Sequence, residues 1–179
     1  MTRFDELRQL FGNWIDRQED WDRLGREVPS KVLRAFVEYI GAPPPLERNG
    51  ELRPYVDFYR LPEPNSPPTD YERVSSFEAA KKTDDGCWEF VLGITIDREK
   101  AWIPNVNLFT RIQFRRNGDS LSFSLPMQGA DWFDIDAENS DTSKPMFDRM
   151  HAAIRSVLLH PDGPPPRAAI GFDITRTDK

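Results

Sequence analysis

The side chains best suited to nucleophilic or acid–base catalysis are a single cysteine, Cys87, and two histidines, His151 and His160. The pattern places Cys87 at the start of a strand, directly after the turn-forming residues 84–86, and no motif brings a histidine near it. The sequence also lacks the Gly-x-Ser-x-Gly motif that holds a catalytic serine. We therefore predict no nucleophilic active site and interpret Cys87 as an unreactive strand residue.

His151 is the histidine whose neighbours suggest acid–base chemistry. Its predicted helix carries Asp148 three residues earlier and Arg155 four residues later, a spacing that lets all three share one helix face. An aspartate so placed can orient a histidine as a general base, but such histidines are also common structural residues. His160 precedes Pro161 and suits a cation that interacts with free carbonyls at a helix end. The sequence thus predicts neither a catalytic residue nor a cofactor.

An acidic segment suggests a cation site, since carboxylates are the ligands that Ca²⁺ and Mg²⁺ prefer. Its acids are Asp131, Asp134, Asp136, Glu138 and Asp141. Counted as an EF-hand from Asp134, the segment has Asn139 where the motif requires glycine and Pro145 where it requires glutamate. We therefore predict no metal site and interpret the segment as a solvated loop whose acids favour the start of the following helix.

The same segment contains two neighbouring aromatic residues, Trp132 and Phe133. Exposed aromatic rings anchor protein interfaces, and the adjacent Asp131, Asp134 and Asp136 would attract a basic partner. The alternative is that the rings fold back and fasten the loop to the core. These five residues are our candidate partner-binding site.

Arg111, Gln113 and Arg115 form a second candidate site on the polar face of a predicted hairpin, opposite three serines. Their donors would suit a carboxylate or phosphate. A solvated sheet face has the same appearance, and Glu89 and Asp97 on the neighbouring strand are placed to neutralise the arginines. We regard the three residues as a candidate anion-binding site.

A helical pair is predicted over about residues 3–41. Apolar residues at steps of three and four, interrupted by Gln18, indicate a first amphipathic helix, and they are Phe4, Leu7, Phe11, Trp14 and Trp21. A second helix is expected to begin near Pro29 and to end at Gly41, which can take a left-handed cap.

The sheet-containing body is predicted over about residues 52–176. An edge strand is expected from Leu52 to Leu61, residues 69–82 fit a helix slightly better than a strand, and Cys87 to Asp97 alternate as a half-buried strand. Asn117-Gly118 predicts a hairpin whose register pairs Phe114 with Leu121. A helix should begin near Pro145 and a last strand should run over 168–175.

This order predicts a single α+β domain over residues 1–179. We expect a mainly antiparallel sheet of about five strands, with the N-terminal helical pair and the C-terminal helix packed on one face.

Charge, apolar runs and cysteine content indicate which classes of partner and which compartment to expect. The formal net charge is −6, and no stretch concentrates lysine and arginine as a phosphate-binding surface does, so we expect no nucleic-acid partner. The sequence lacks a signal peptide and an apolar run that spans a bilayer, so we expect no membrane association. A single cysteine fits a reducing compartment and suggests a cytoplasmic protein.

These observations favour a non-catalytic cytoplasmic protein-binding module of the adaptor, accessory or inhibitor type, with another protein as partner, and a basic partner suits the acidic surface. The alternative is a small-molecule-binding domain or cofactor-free enzyme with an apolar pocket between sheet and helices. Its expected lining is Trp88, Phe90, Phe123 and Phe172. A packed interior favours the first hypothesis and an open cavity the second.

Overall fold

The computed structural model describes residues 2–48, 50–60, 71–97, 105–118, 120–126, 131–136, 140–159 and 173–177. Its helices are α1 (Arg3–Ile40) and α2 (Lys144–Leu159), the latter preceded by a 3-10 turn (Ser140–Ser143). The strands are β1 (Leu46–Arg48), β2 (Glu51–Arg53), β3 (Val56–Tyr59), β4 (Lys81–Lys82), β5 (Trp88–Asp97), β6 (Asn105–Asn117), β7 (Ser120–Ser124), β8 (Trp132–Ile135) and β9 (Asp173–Thr177).

Within these ranges, seven strands form one antiparallel sheet, and β1 and β2 form a separate pair. The two long strands, β5 and β6, pair along ten residues at its centre. β3 and β4 pair with β5, β7 and β9 pair with β6, and β8 lies outside β7. The predicted α+β class with an antiparallel sheet is confirmed. The sheet has more strands than the five expected, because β4 and β8 are too short to produce a recognisable alternation.

The predicted helical pair is wrong, because α1 is one continuous helix of 38 residues. It begins at a capping box in which the Thr2 side chain accepts from the Asp5 backbone and the Asp5 carboxylate accepts from the Thr2 backbone. Pro29 lies inside the helix. Proline disfavours a helix interior by about 3 kcal/mol, and here burial of the neighbouring Val28 and Val32 offsets that cost. The helix ends at Gly41 with φ of 61°, as predicted.

The second half of α1 and all of α2 pack on one face of the sheet. Phe36 of α1 contacts Phe147 of α2 with ring centroids 5.3 Å apart, and both side chains are buried. The strands supply alternate residues to this core, among them Phe58, Phe90, Leu92, Ile94, Leu108, Ile112, Phe114 and Phe123. The predicted strand at β5 and the predicted helix near Pro145 are therefore confirmed. The prediction that β5 is half-buried is wrong, because Val91, Gly93 and Thr95 on its other face are buried as well, and the Tyr59 ring covers Gly93.

The predicted hairpin is present, but its register differs by two residues. Asn117 pairs with Ser120, so that Phe114 faces Phe123 and not Leu121. Gly118 has φ of 62°, the conformation that a tight turn requires. A shift of two residues keeps every side chain on its predicted face, so Phe114 and Leu121 are both buried as expected. The stacked rings of Phe114 and Phe123, 5.5 Å apart, favour the observed pairing.

Residues 71–80, for which a helix was favoured, contain no helix. Arg73 instead forms an isolated bridge with Tyr59, and the Val74 N–H donates to the Phe58 carbonyl at 3.1 Å. Residues 69 and 70 lie outside the described ranges, as do Leu61 and residues 168–172 of two predicted strands. Neither described helix combines the length and apolar character needed to cross a membrane.

Candidate functional site

The N-terminal half of α1 carries a row of exposed apolar side chains. Between 50% and 62% of each is accessible to water, and the five residues are Phe4, Leu7, Leu10, Phe11 and Trp14. We call them the apolar stripe, and we call residues 3–18 the extension, which is about 24 Å long at 1.5 Å per residue. Monomeric proteins rarely expose so many large apolar groups together, so the stripe is the candidate functional site.

The stripe continues the helix face that packs on the sheet. Steps of three and four lead from Phe4 through Trp14 and the polar Gln18 to Trp21, and from there to Gly25, Val28 and Val32. Gly25, Val28 and Val32 are buried, whereas the stripe is exposed. One helix face therefore serves as core in its second half and as free surface in its first half.

Trp21 marks the place where the helix leaves the sheet. Its ring lies edge-on to Phe114, with centroids 5.7 Å apart, and its indole N–H donates to the Gly86 carbonyl at 3.2 Å. Next to it, Asp20 accepts from Arg116 of β6 at 2.9 Å. Hydrogen bonds from Arg23 and Arg116 lower the pKa of Asp20. These contacts fix the direction in which the extension points.

Two ring contacts order the stripe itself. The rings of Phe11 and Trp14 are stacked with centroids 6.0 Å apart, and the Arg8 guanidinium lies 4.6 Å from the centre of the Phe4 ring. The sequence analysis did not predict that the stripe is exposed, because its spacing is typical of a helix face that packs on a core. A signal that it is exposed is the length of α1, about 57 Å, against roughly 44 Å for the longest strand.

Of the predicted partner-binding residues, Trp132, Phe133 and Asp134 lie on β8, and Asp131 and Asp136 directly flank it. Phe133 pairs with Phe123 and packs against the core, whereas Trp132 pairs with Ser124 on the opposite face, where the Arg115 guanidinium lies 4.0 Å from its ring centre. Both rings are half-buried. The structure therefore does not bring them together as one exposed surface.

The neighbouring acids have partners within the chain. Asp131 bonds with Arg149, and Asp134 accepts from Ser122 and Asn117, which lowers the pKa of Asp134. The backbone N–H of Asp136 donates to the Thr142 hydroxyl at 2.9 Å. In the described part of the chain, no group of three or more acidic, histidine or cysteine side chains is arranged to hold a metal ion.

The structure does bring Arg111, Gln113 and Arg115 together, on the sheet face away from the helices. Gln113 donates to a Glu89 carboxylate oxygen at 3.1 Å, and Arg111 lies 3.8 Å from the same oxygen. Glu89 therefore faces Arg111 as predicted, while Asp97 accepts from the Tyr55 hydroxyl instead, at 3.0 Å. The cluster already contains its own anion.

Cys87 and His151 are far less suited to catalysis than their residue types suggest. Cys87 is buried, and this burial raises the pKa of the thiol, which disfavours the reactive thiolate. His151 is exposed on α2, but the carboxylate of Asp148 accepts from Tyr39 and Lys144. His160 lies outside the described residues.

His151 and Arg155 line a cavity of about 350 Å³ between the C-terminal end of α1, α2 and the C-terminal end of β5. Its other walls include Ile40, Ile94 and Ile154. It differs from the pocket expected from the sequence, because Phe90 and Phe123 are fully packed in the core, each against Phe114. Phe172 is not among the described residues.

No protein-family model, curated protein or solved structure matches this chain. The function is therefore argued from the surfaces and cavities themselves. The apolar stripe stands out, since it combines large area, a single helix face and a fixed position relative to the sheet.

Proposed function

We propose that this chain is a non-catalytic protein-binding module that binds its partner through the apolar stripe on the extension. One observation carries the proposal: five large apolar side chains on one helix face are each at least half exposed. Together they present roughly 600 Å² of apolar surface, taking 150–250 Å² for a whole aromatic side chain. That area equals the upper end of the largest patch on a typical monomer.

The spacing of the stripe supports a helical mode of binding. Phe4, Leu7, Phe11 and Trp14 lie at i, i+3, i+7 and i+10, which continues the spacing by which an amphipathic helix contacts an apolar surface of a partner. Phenylalanine and tryptophan rings are effective anchors, since a few such residues supply most of the free energy of binding. The packed core around Phe90 and Phe123 also supports a binding module over a domain with an internal ligand site.

Site-specific photo-crosslinking tests the proposal. A photoreactive phenylalanine at position 11 should crosslink in the native cell to a protein that mass spectrometry then identifies, whereas the same group at Gln9, on the opposite helix face, should not. With the purified partner, Phe11→Ala combined with Trp14→Ala should weaken binding about a hundred-fold or more, and Gln9→Ala should not. Equal crosslinking from both positions, or unchanged binding by the double variant, would refute the proposal.

A second candidate function is small-molecule binding in the cavity beside His151 and Arg155. Its volume of about 350 Å³ lies within the range of ligand sites, and apolar walls with a few polar groups are typical of them. Among the described residues, no carboxylate forms an ion pair with Arg155, and Asp97, a carboxylate in the lining, accepts from the Tyr55 hydroxyl at 3.0 Å. The expected ligand is therefore a small hydrophobic acid whose carboxylate binds Arg155.

A matched set of compounds tests this candidate. Phenylbutyrate should bind more tightly than phenylbutylamine or phenylbutanol in calorimetry, and Arg155→Gln should abolish that preference. Arg34→Gln, an exposed arginine on α1, is the control and should retain it. Equal binding of the three compounds, or no binding by any, excludes this function.

A further inference from the structure

The charges beside the apolar stripe identify the kind of partner that fits it. Numbered as a heptad with Phe4 and Phe11 at position a, the extension has Leu7 and Trp14 at position d. The charged side chains at the bordering e and g positions are Arg3, Arg8 and Arg17. The acids of the extension, Asp5, Glu6 and Asp16, occupy positions b, c and f, which face away from the stripe.

These three arginines are available to a partner. Arg8 contacts the Phe4 ring, and the Arg17 side chain donates to the Asn13 carbonyl at 3.1 Å. No carboxylate within the described ranges forms a salt bridge with Arg3, Arg8 or Arg17. Arg23, by contrast, pairs with Asp20 and Glu27 just beyond the extension. The stripe is therefore bordered by cationic groups with unused donors.

We propose that the occupant of the stripe is an amphipathic helix of a partner protein whose own apolar face is bordered by aspartate or glutamate. This inference rests on the proposed function and specifies its partner. Carboxylates at the partner's border positions would meet Arg3, Arg8 and Arg17, as charges across a coiled coil set partner choice. Arginine suits this role because its planar guanidinium binds a carboxylate through two parallel hydrogen bonds.

The same positions disfavour a second copy of this chain as the occupant. Border residues meet g to e in a parallel helix pair, and e to e or g to g in an antiparallel pair. Because the charged border residues of the extension are all arginines, every charged contact between two copies would join two cations. A membrane surface also fits poorly, since the three arginines are matched by three acids on the outer face and the extension has no net positive charge.

Two synthetic probes test the inference with the full chain. Both are three-heptad helical peptides with leucine at a and d, and one has glutamate at every e and g position where the other has lysine. Fluorescence anisotropy should give about ten-fold tighter binding of the glutamate probe. Arg3→Glu, Arg8→Glu and Arg17→Glu together should reverse this preference. The matched control, Arg26→Glu, Lys31→Glu and Arg34→Glu together, alters exposed positions elsewhere on α1 and should keep it.

The outcomes separate this inference from the proposed function. Equal binding of both probes, or binding of neither, overturns the acidic partner. Crosslinking from a photoreactive residue at position 11 but not at position 9 would still support a protein-binding stripe. Self-association that Phe11→Ala with Trp14→Ala abolishes would identify a second copy as the occupant and overturn the inference. Binding to vesicles of phosphatidylcholine and phosphatidylglycerol, without binding of the glutamate probe, would overturn it in favour of a membrane.

Discussion

Gly25 of α1 lies directly against the indole ring of Trp88 on β5, so closely that a Cβ atom at position 25 would overlap the ring. This contact lies one turn beyond Trp21, where the helix reaches the sheet. The absence of a side chain lets the backbone of α1 approach Trp88 closely at the point where the helix reaches the sheet.

We predict that Gly25→Ala destabilises the chain, because the added methyl group must displace Trp88 or the helix, and overpacking of this kind costs about 1–3 kcal/mol. The control is Gly12→Ala in the same helix, where a Cβ atom would meet nothing within 4 Å. That variant should be stabilised by up to about 1 kcal/mol, because alanine favours helix more than glycine. Urea denaturation measures both, and equal stability of the two variants would contradict the packing described.

We predict that the stripe contributes little to folding. Phe11→Ala combined with Trp14→Ala should change the free energy of unfolding by less than about 1 kcal/mol, because both side chains are already exposed in the folded chain. Phe36→Ala, a fully buried position on the same helix, should cost about 3–5 kcal/mol. Thermal and chemical denaturation provide the comparison. A large loss in the double variant would mean that the stripe belongs to the chain's own core.

We predict that Asp148 makes stability depend on pH in the acidic range. The Tyr39 hydroxyl and Lys144 hold the pKa of Asp148 below the ordinary aspartate value of about 4. The ionised carboxylate therefore favours the folded chain above that pH, and its contribution disappears as the pH falls through the lowered pKa.

Denaturation at several pH values measures this effect. Asp148→Asn should be less stable than the parent at about pH 7, and the difference should shrink toward about pH 3. Asp84→Asn, at an exposed turn, is the control and should follow the parent curve. A difference between Asp148→Asn and the parent that stays constant with pH would exclude the proposed linkage.

We predict that the hairpin register can be measured as a coupling between rings. Truncating Phe114 and Phe123 to leucine singly and together should give a coupling free energy of about 0.5–1.5 kcal/mol, because the two rings are stacked. A second cycle that combines Phe114→Leu with Leu121→Ala, at two positions that are not paired, should give a smaller value. The reverse order would favour the register with Phe114 opposite Leu121.

Elements that are determined by a single residue or by a short run of neighbouring residues could be predicted from the sequence. Gly41 ends α1 because the left-handed cap is a property of one residue, and the alternation of Trp88 to Ile96 predicts a strand whichever strands pair with it. The hairpin register was not predictable in the same way. A two-residue shift preserves both faces, so the face pattern does not distinguish the two registers. The stacking of Phe114 on Phe123 favours the observed pairing, and the face pattern does not predict it.

The exposure of the apolar stripe could not be predicted from the sequence. The spacing of Phe4 to Trp14 indicates that one helix face is apolar, but it contains no information on what covers that face. Pro29 was also interpreted as the start of a second helix. Two short helices gave no sign that α1 is longer than the strands on which it packs. Trp132 and Phe133 were interpreted as loop residues, because β8 is too short to produce a recognisable alternation in the sequence.

The hydrogen bonds that Thr2 and Asp5 exchange at the start of α1 have a consequence for the kinetics of binding. A free peptide as short as the extension would form only a marginal helix in water, because nucleation of the first turn is unfavourable. Here the helix is already nucleated in the core and closed at its far end by the capping box. A partner therefore meets a surface that is folded before the encounter, and complex formation does not incur the backbone entropy of about 1–2 kcal/mol per residue that a folding segment loses. Collision and desolvation, and not folding of the extension, would set the association rate.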